Sequence, residues 1–525
     1  MWKFSCVTIL TIFGLAVIQV DSASILAVFP YAGKSHFHVF QPILQELAKR
    51  GHEVTVITHY PQKTPLKGYT DISVAAKESF SENVVDLEGV LTAGTWSMIQ
   101  AVASLGKETC DNLNHPNFDK FLKTKGLKKK YDLMLIEFFV TDCFLALAHH
   151  LDIPFIGITS HILMPWSNTR IASIDNPSFV PNHFIGYSDK MTYRERIVNT
   201  ILYFGSKLVE HYIVDEPGNE AAKAKFGQDL PHLDDIAKNV SLMLTYTHFS
   251  ITRPRPLVPS MIEIGGLHLH NTQLKPLPKN IEKWINESKD GVIYFSMGSM
   301  IKGHTFPEEK RKIFLKAFGR LKQRVLWKWE NETMPDKPDN VMIQKWMPQY
   351  DILCHPNVKA FIAHGGLLGT TEAVHCGVPV VVMPQFGDQH TNARALEAGG
   401  GGVVLNFREA DEEMVYNALK TVLDPEFNKK AKELSARFRD RPMSPMDTAI
   451  YWIEYVARHK GAHHMRTAAV GMPLYQYLLL DVFGFLAVCT LSILFIGIYV
   501  TKLFFRLVMS MFSKSDKKQK KLKKN

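Results

Sequence analysis

Residues Ala363–Gln389 read "AHGGLLGTTEAVHCGVPVVVMPQFGDQ": a strand end, two glycines, a helical stretch, a second apolar strand and a polar cluster. His364 and Gly365-Gly366 stand where the strand passes into the helix. Free backbone N–H groups and the helix dipole attract anions at such a point, and glycine lets a phosphate approach the backbone closely. Glu372 lies two helical turns beyond His364, at a spacing suited to ribose hydroxyls when a pyrophosphate sits at the turn. Asp388 and Gln389 follow the next strand and so share the same carboxyl-end rim.

The alternation extends in both directions. Apolar strands "GVIYFSMG", "RVLWKW", "NVMIQKW", "VKAFIAH", "PVVVMP" and "GGVVLNF" alternate with helical segments. Such a rhythm predicts a parallel sheet covered on both faces. Toward the N-terminus, "ASILAVFP", the loop "YAGKSHFH", the helical "VFQPILQELAKRG" and "HEVTVITH" form a second β-α-β unit. "YDLMLIEFF", "TDCFLALAHHLD" and "IPFIGITS" repeat it, whereas residues from about 164 to 230 are aromatic and weakly patterned. A Pro-rich stretch, "TRPRPLVPS" followed by "TQLKPLPKN", marks a domain boundary. A chain of 525 residues fits two α/β domains around a cleft, with extra segments at the ends.

The start, "MWKFSCVTILTIFGLAVIQVDSA", has the charged, apolar and small-residue order of a secretory signal, with cleavage after Ser22. Near the other end, "VFGFLAVCTLSILFIGIYV" (Val482–Val500) has nineteen uncharged residues. As a helix that covers roughly 28 Å, about one hydrocarbon core. The tail "KSDKKQKKLKKN" carries seven Lys against one Asp and supplies most of the formal +10. The basic balance is therefore a tail property and no argument for nucleic acid. Positive-inside reasoning puts the tail in the cytosol and the domains in the lumen, as a single-pass type I protein. Lys521 and Lys523 in "KLKKN" resemble a dilysine retrieval signal to the endoplasmic reticulum.

Cys110, Cys143, Cys354 and Cys376 are scattered, lack C-x-x-C metal spacing, and are expected to form no disulfide framework. Asn239, Asn286 and Asn331 open N-x-S/T sequons.

"FIAHGGLLGTTEAVHCGVPVVVMPQFGDQ" resembles the signature of the UDP-glycosyltransferases, with "FSMGSM", "RVLWKWE" and "KWMPQYDIL" upstream in the family's order. "RFRDRPMSPMDTAIYWIEYVARHKGAHHMR" resembles the segment before the membrane anchor in animal members, and the whole looks like the arthropod branch. The resemblance implies a GT-B fold: an N-terminal Rossmann-like domain for the acceptor and a C-terminal one for the nucleotide sugar. Carried onto this chain, Trp346 stacks on uracil and Gln349 bonds the nucleoside. Ser299 and His364 contact the diphosphate with backbone from Gly366 to Gly369, Glu372 the ribose, and Asp388 and Gln389 the sugar hydroxyls. An indole face suits a base, N–H donors suit phosphate, and carboxylate and amide suit hydroxyls.

The resemblance also makes His36 the general base; an imidazole titrates near neutrality and can take a proton from an attacking hydroxyl. A carboxylate is expected to orient it. Glu137 at the strand end and Asp142 five residues on are both candidates, the family usually having Asp where Glu137 stands. Asp142 is preferred and the choice stays open, since either can instead cap the helix that begins "DCFLAL". Ala363, Leu368 and Lys328 replace a hydroxyl residue, Asn and Arg of the family pattern, which predicts weaker donor binding. No D-x-D occurs, so the expectation is catalysis without a metal or other cofactor, UDP-sugar being a co-substrate.

The resulting expectation is an inverting UDP-glycosyltransferase that moves a hexose, glucose before glucuronate, to a small lipophilic acceptor, alone or as an oligomer. A catalytically silent GT-B binding partner is the rival. The expected segments are signal 1–22, acceptor domain 23–255, linker 256–280, donor domain 281–440, returning helices 441–480, transmembrane helix 481–501 and tail 502–525.

Overall fold

The computed structural model describes residues 22–75, 85–92, 95–270 and 273–522. The signal segment (Ser22 apart) and Lys523 lie outside the described residues. Two parallel sheets carry the architecture. The first has seven strands in the order β3-β2-β1-β4-β5-β6-β7: β1 Ser24–Phe29, β2 Glu53–Thr58, β3 Tyr69–Ser73, β4 Leu133–Glu137, β5 Phe155–Thr159, β6 Met243–Thr245 and β7 Met261–Glu263. The second has six, in the order β10-β9-β8-β11-β12-β13: β8 Val292–Ser296, β9 Arg324–Lys328, β10 Val341–Gln344, β11 Val358–Ala363, β12 Val380–Val382 and β13 Gly402–Val404. Each sheet reverses its winding between its first and fourth strands, β1/β4 and β8/β11. Ligands of doubly wound sheets sit at the carboxyl ends of strands beside such a reversal.

The apolar pattern explains why the sites end up there. Helix Lys34–Lys49 buries Phe37, Phe40, Ile43, Leu44 and Leu47 along one face, which places His36 in its half-buried first turn just after β1. Each such side chain stabilises the packing by roughly 1.5–3 kcal/mol, so the helix start is held firmly. Phe295 stacks on Trp327 at 4.4 Å in the core of the second sheet and anchors β8 beside β9.

Three segments differ from the sequence reading. β7 falls inside the 256–280 stretch, so its Pro-rich start is part of the first sheet's edge before the chain crosses. Helix Pro445–His459 packs on the first lobe, through Arg50 Nη2–Asp447 Oδ1 at 2.8 Å and His52 Nε2–Glu454 Oε1 at 3.2 Å. The expected absence of disulfides is overturned: Cys110 bonds Cys143 and Cys354 bonds Cys376. Sequence spacing hid both pairs because the helices and strands that bring them together are separated by 33 and 22 residues.

Residues 468–525 form a separate unit. Its helix Leu480–Leu522 contains a window, Leu480–Ser513, long and apolar enough to cross a membrane by length and composition. The helix does not stop near residue 501 but continues into the Lys-rich tail; lysine is a good helix former.

Candidate active site

In the first lobe, β1 and β4 are neighbours in register, so the loop after one faces the end of the other. His36 Nδ1 lies 2.7 Å from Glu137 Oε1, and Ser160 Oγ lies 2.8 Å from the same nitrogen. Nδ1 is therefore committed, and Nε2 is the nitrogen left for chemistry. Tyr31 and Phe139 close on the imidazole at 4.9 and 4.4 Å between ring centres. Glu137 is nearly buried, its side chain 2% exposed against 19% for His36.

Asp142, preferred over Glu137 on sequence grounds, has another partner. It is buried in an ion pair with Arg170, whose guanidinium lies over the Phe138 ring at 4.6 Å. Burial pushes the Asp142 carboxyl up to about 6, with Arg170 opposing the shift. Neither carboxylate caps the following helix, Leu145–Leu151, whose N-cap is Phe144 without a side-chain bond. Glu137, where the resemblance led to an expectation of Asp, reaches the imidazole.

In the second lobe, the turn after β8 and the turn after β11 enclose His364. A Cβ on Gly298 (φ +80°) would stand 2.5 Å from the His364 ring, and one on Gly366 would stand 2.6 Å from its Nε2. Glycine is required at both because the ring occupies that space. Ser296 Oγ accepts from Gly298 N at 3.2 Å, and Lys328 Nζ donates to the Gly298 carbonyl at 3.0 Å and to Glu330 at 2.8 Å. Lys328 thus braces the turn, and Ser299 is exposed just beyond it.

Burial, then the nearby Lys328 charge, lowers His364 to about 4. It is neutral near pH 7, so an anion here would meet a hydrogen bond and not a second cation. Its Nδ1 is buried without a protein partner among the described residues. Helix Leu367–Cys376 starts at the Gly366 N-cap with no side-chain cap, which leaves its first N–H groups to other acceptors. Ala363 is 3% exposed and packs in the core, with Leu368 packed against it. Both departures from the family pattern therefore have a packing role.

Farther along the rim, Gln349 Nε2 donates to Glu372 at 2.7 Å, and His268 Nε2 lies 3.5 Å from the other carboxylate oxygen. Trp346 is 71% exposed, unusual for an indole with no role at the surface. Asn392 Nδ2 joins Asp388 Oδ2 at 2.8 Å to the Gly365 carbonyl at 3.1 Å, coupling the polar cluster to the glycine turn. Gln389 Oε1 accepts from the backbone of Gln385 at 2.9 Å. Burial raises the Asp388 carboxyl, opposed by the Asn392 bond and then by His36 across the cleft. Thr391 Oγ1 to the His183 carbonyl (3.0 Å) and Val85 N to the Met300 carbonyl (3.0 Å) tie the lobes together.

The family model described as "UDP-glucoronosyl and UDP-glucosyl transferase" matches residues 24–518. The chain belongs to this family. UDP-glycosyltransferase UGT5 of Dactylopius coccus is 44% identical over 512 residues, 96% of this chain and 97% of that protein. UDP-glucosyltransferase 2 of the same organism is 40% identical over 98% of this chain and 99% of that one. Among solved structures, the glycotransferase of kitacinnamycin shares the fold at a TM-score of 0.56 and 16% identity, over 83% of this chain and 99% of that chain. The protein is thus a UDP-glycosyltransferase with the two-lobed GT-B architecture.

Of the residues singled out from sequence, this transferase brings Glu137 to His36 and Glu372 to Gln349. Asn239, Asn286 and Asn331 are exposed, as glycan acceptors must be. Ser160, Ser296 and Asn392 were missed. A serine directly after β5 mirrors Glu137 at the end of β4, a cue visible once the strands are placed; Ser296 and Asn392 carry no sequence signal.

Proposed function

We propose that the enzyme transfers a hexose, glucose in the first instance, from a UDP-sugar to the hydroxyl of a small lipophilic acceptor with inversion. The observation that carries this reading is the His36 Nδ1 contact with Glu137 Oε1 at 2.7 Å, which leaves Nε2 for the acceptor proton. His36 Nε2 takes the acceptor proton as the oxygen bonds the anomeric carbon. The carbon–phosphate oxygen bond breaks, and UDP leaves with the electron pair. Glu137, with Ser160, orients the imidazole and stabilises its cation. Trp346 stacks on the uracil, Gln349 and Glu372 take the nucleoside and ribose, and Asp388 and Gln389 hold the sugar hydroxyls. The turn at Gly298–Ser299, the buried His364 and the N–H groups from Gly366 to Gly369 receive the diphosphate, dispersing the leaving charge. No step in this reading uses a metal.

Two disulfides and three exposed sequons support a lumenal site, and the apolar helix supports a type I anchor in the endoplasmic reticulum membrane. The family description spans both glucosyl and glucuronosyl transfer. The test is an assay of microsomes holding the full chain with labelled UDP-glucose, UDP-galactose and UDP-glucuronate against a panel of phenols. Transfer with UDP-glucose exceeding that with UDP-glucuronate is expected; no transfer from any donor would sink the reading in favour of a silent binding protein.

A further inference from the structure

A chain of polar contacts crosses from the first lobe to Glu372 in the second. It starts at Tyr246, which directly follows β6 and is fully buried. The Tyr246 hydroxyl bonds His268 Nδ1, and His268 Nε2 lies 3.5 Å from Glu372 Oε1. His268 belongs to the short turn of helix Leu267–Leu269, just after β7, where the chain leaves the first sheet. This turn is wedged from both sides. A Cβ on Gly265 would stand 2.5 Å from the Thr247 carbonyl oxygen, and one on Gly266 would stand 2.9 Å from the Phe438 ring. Thr247 lies just past β6, whereas Phe438 belongs to helix Pro425–Arg439 of the second lobe. The imidazole is therefore presented from a turn with little freedom, its side chain 12% exposed beside 15% for Glu372.

These contacts decide which nitrogen carries the proton. Burial raises the Tyr246 phenol far above its ordinary value, so the hydroxyl keeps its proton. The Gly266 N–H donates to the phenol oxygen, and the phenol proton goes to His268 Nδ1. A neutral imidazole that accepts at Nδ1 carries its own proton on Nε2, facing Glu372. Gln349 Nε2 donates to the other carboxylate oxygen at 2.7 Å. One N–H on each oxygen holds the plane of the carboxylate, and each oxygen keeps a lone pair for a hydroxyl. Gln349 stands on the second lobe; His268 is the donor carried by the first.

We propose that His268 is a positioning residue for the nucleotide: held by Tyr246, it aims the Glu372 carboxylate at the ribose hydroxyls and so ties nucleotide recognition in the second lobe to the first. This deepens the proposed contact of Glu372 with the ribose and rests on it. Without His268 the carboxylate keeps its charge and loses its aim, so the loss falls on ligands that carry ribose hydroxyls.

The test uses the full chain in detergent. Equilibrium binding of UDP and of 2′,3′-dideoxyuridine diphosphate is measured for the wild type, Glu372→Ala, His268→Leu, His268→Gln and Tyr246→Phe. The readout is the ratio of the two dissociation constants, which a general loss of folded protein leaves unchanged. The wild type should prefer UDP by at least about tenfold, since a site built for a hydroxyl rejects the analogue that lacks it. Glu372→Ala should abolish the preference, and His268→Leu should cut it by at least about threefold. His268→Gln, which keeps a donor in place of Nε2, should restore it to within about twofold of the wild type. Tyr246→Phe should lower it in the same direction, and carries the test if His268→Leu does not fold. In transfer assays His268→Leu should raise the KM for UDP-glucose and change kcat by less than about twofold, because the ribose contact is equal in ground and transition states. A preference lost in Glu372→Ala and intact in His268→Leu and Tyr246→Phe would overturn the positioning role and leave the ribose reading standing. Equal losses in His268→Gln and His268→Leu would also overturn it. A wild type that binds both ligands alike, or a Glu372→Ala variant that keeps the preference, would reject the ribose reading and the positioning role with it.

Discussion

His36 Nδ1 is 2.7 Å from Glu137 Oε1, a contact between a helix start and a strand end 101 residues apart in sequence. It orients the imidazole with Nε2 outward and identifies Glu137 as its carboxylate. Glu137→Gln should lower kcat by roughly 10²–10⁴-fold, the range seen when a base loses its orienting acid. Asp142→Ala should act differently: leaving Arg170 buried and unpaired costs about 3–5 kcal/mol of stability. Steady-state kinetics beside denaturant unfolding of both variants separates the two effects. A Glu137→Gln enzyme with full kcat contradicts the assignment.

Trp346 is 71% exposed, three residues before Gln349, and has little packing to lose. Trp346→Ala should weaken UDP binding by roughly 1–3 kcal/mol, the usual worth of base stacking, and leave the unfolding temperature unchanged. Competition by UDP against a labelled donor measures it. Unaltered UDP affinity would mean the uracil binds elsewhere.

Acid should destabilise the fold from about pH 6.5 downward. Burial holds His161 down to about 3 and His364 down to about 4, against an ordinary 6.5. Between those values the unfolded chain binds protons that the folded chain refuses, so stability is complete above about pH 6.5 and falls as pH drops toward 4. The thermal midpoint at pH 5 should lie below that at pH 7.5, and His161→Gln should flatten the difference. A midpoint independent of pH over this range would rule out buried neutral histidines.

Reduction should also destabilise the fold. The disulfides close loops of 33 and 22 residues, for which chain entropy gives about 3.5 kcal/mol each. Dithiothreitol, or Cys376→Ser, should lower the unfolding midpoint, and mass spectrometry of unreduced peptides should recover the two pairs. Free thiols at all four positions would contradict the pairing.

The alternation of apolar strands and helices was enough to place both sheets, because fully buried parallel strands leave a continuous apolar signature. It also placed His36, His364 and Asp388 at strand ends, where a ligand of such sheets must bind. The Glu137/Asp142 choice was not legible: Glu137 ends β4 and Asp142 follows five residues on, and the decision lies with Arg170, 28 residues beyond Asp142 in a weakly patterned stretch. Cys110–Cys143 was hidden for a similar reason. The effects of Ala363 and Lys328 were illegible too, since one depends on core packing and the other on a bond to a carbonyl in the turn after β8.

The central claim is that His36 is the base of a UDP-sugar transfer. The direct measurement is transfer from labelled UDP-glucose to a phenol by the full-length wild type and by His36→Ala, with UDP affinity measured on the same preparations. The account predicts transfer by the wild type, a loss of at least about 10²-fold in the variant, and unchanged UDP affinity. Undiminished transfer by a folded, UDP-binding His36→Ala enzyme would contradict it.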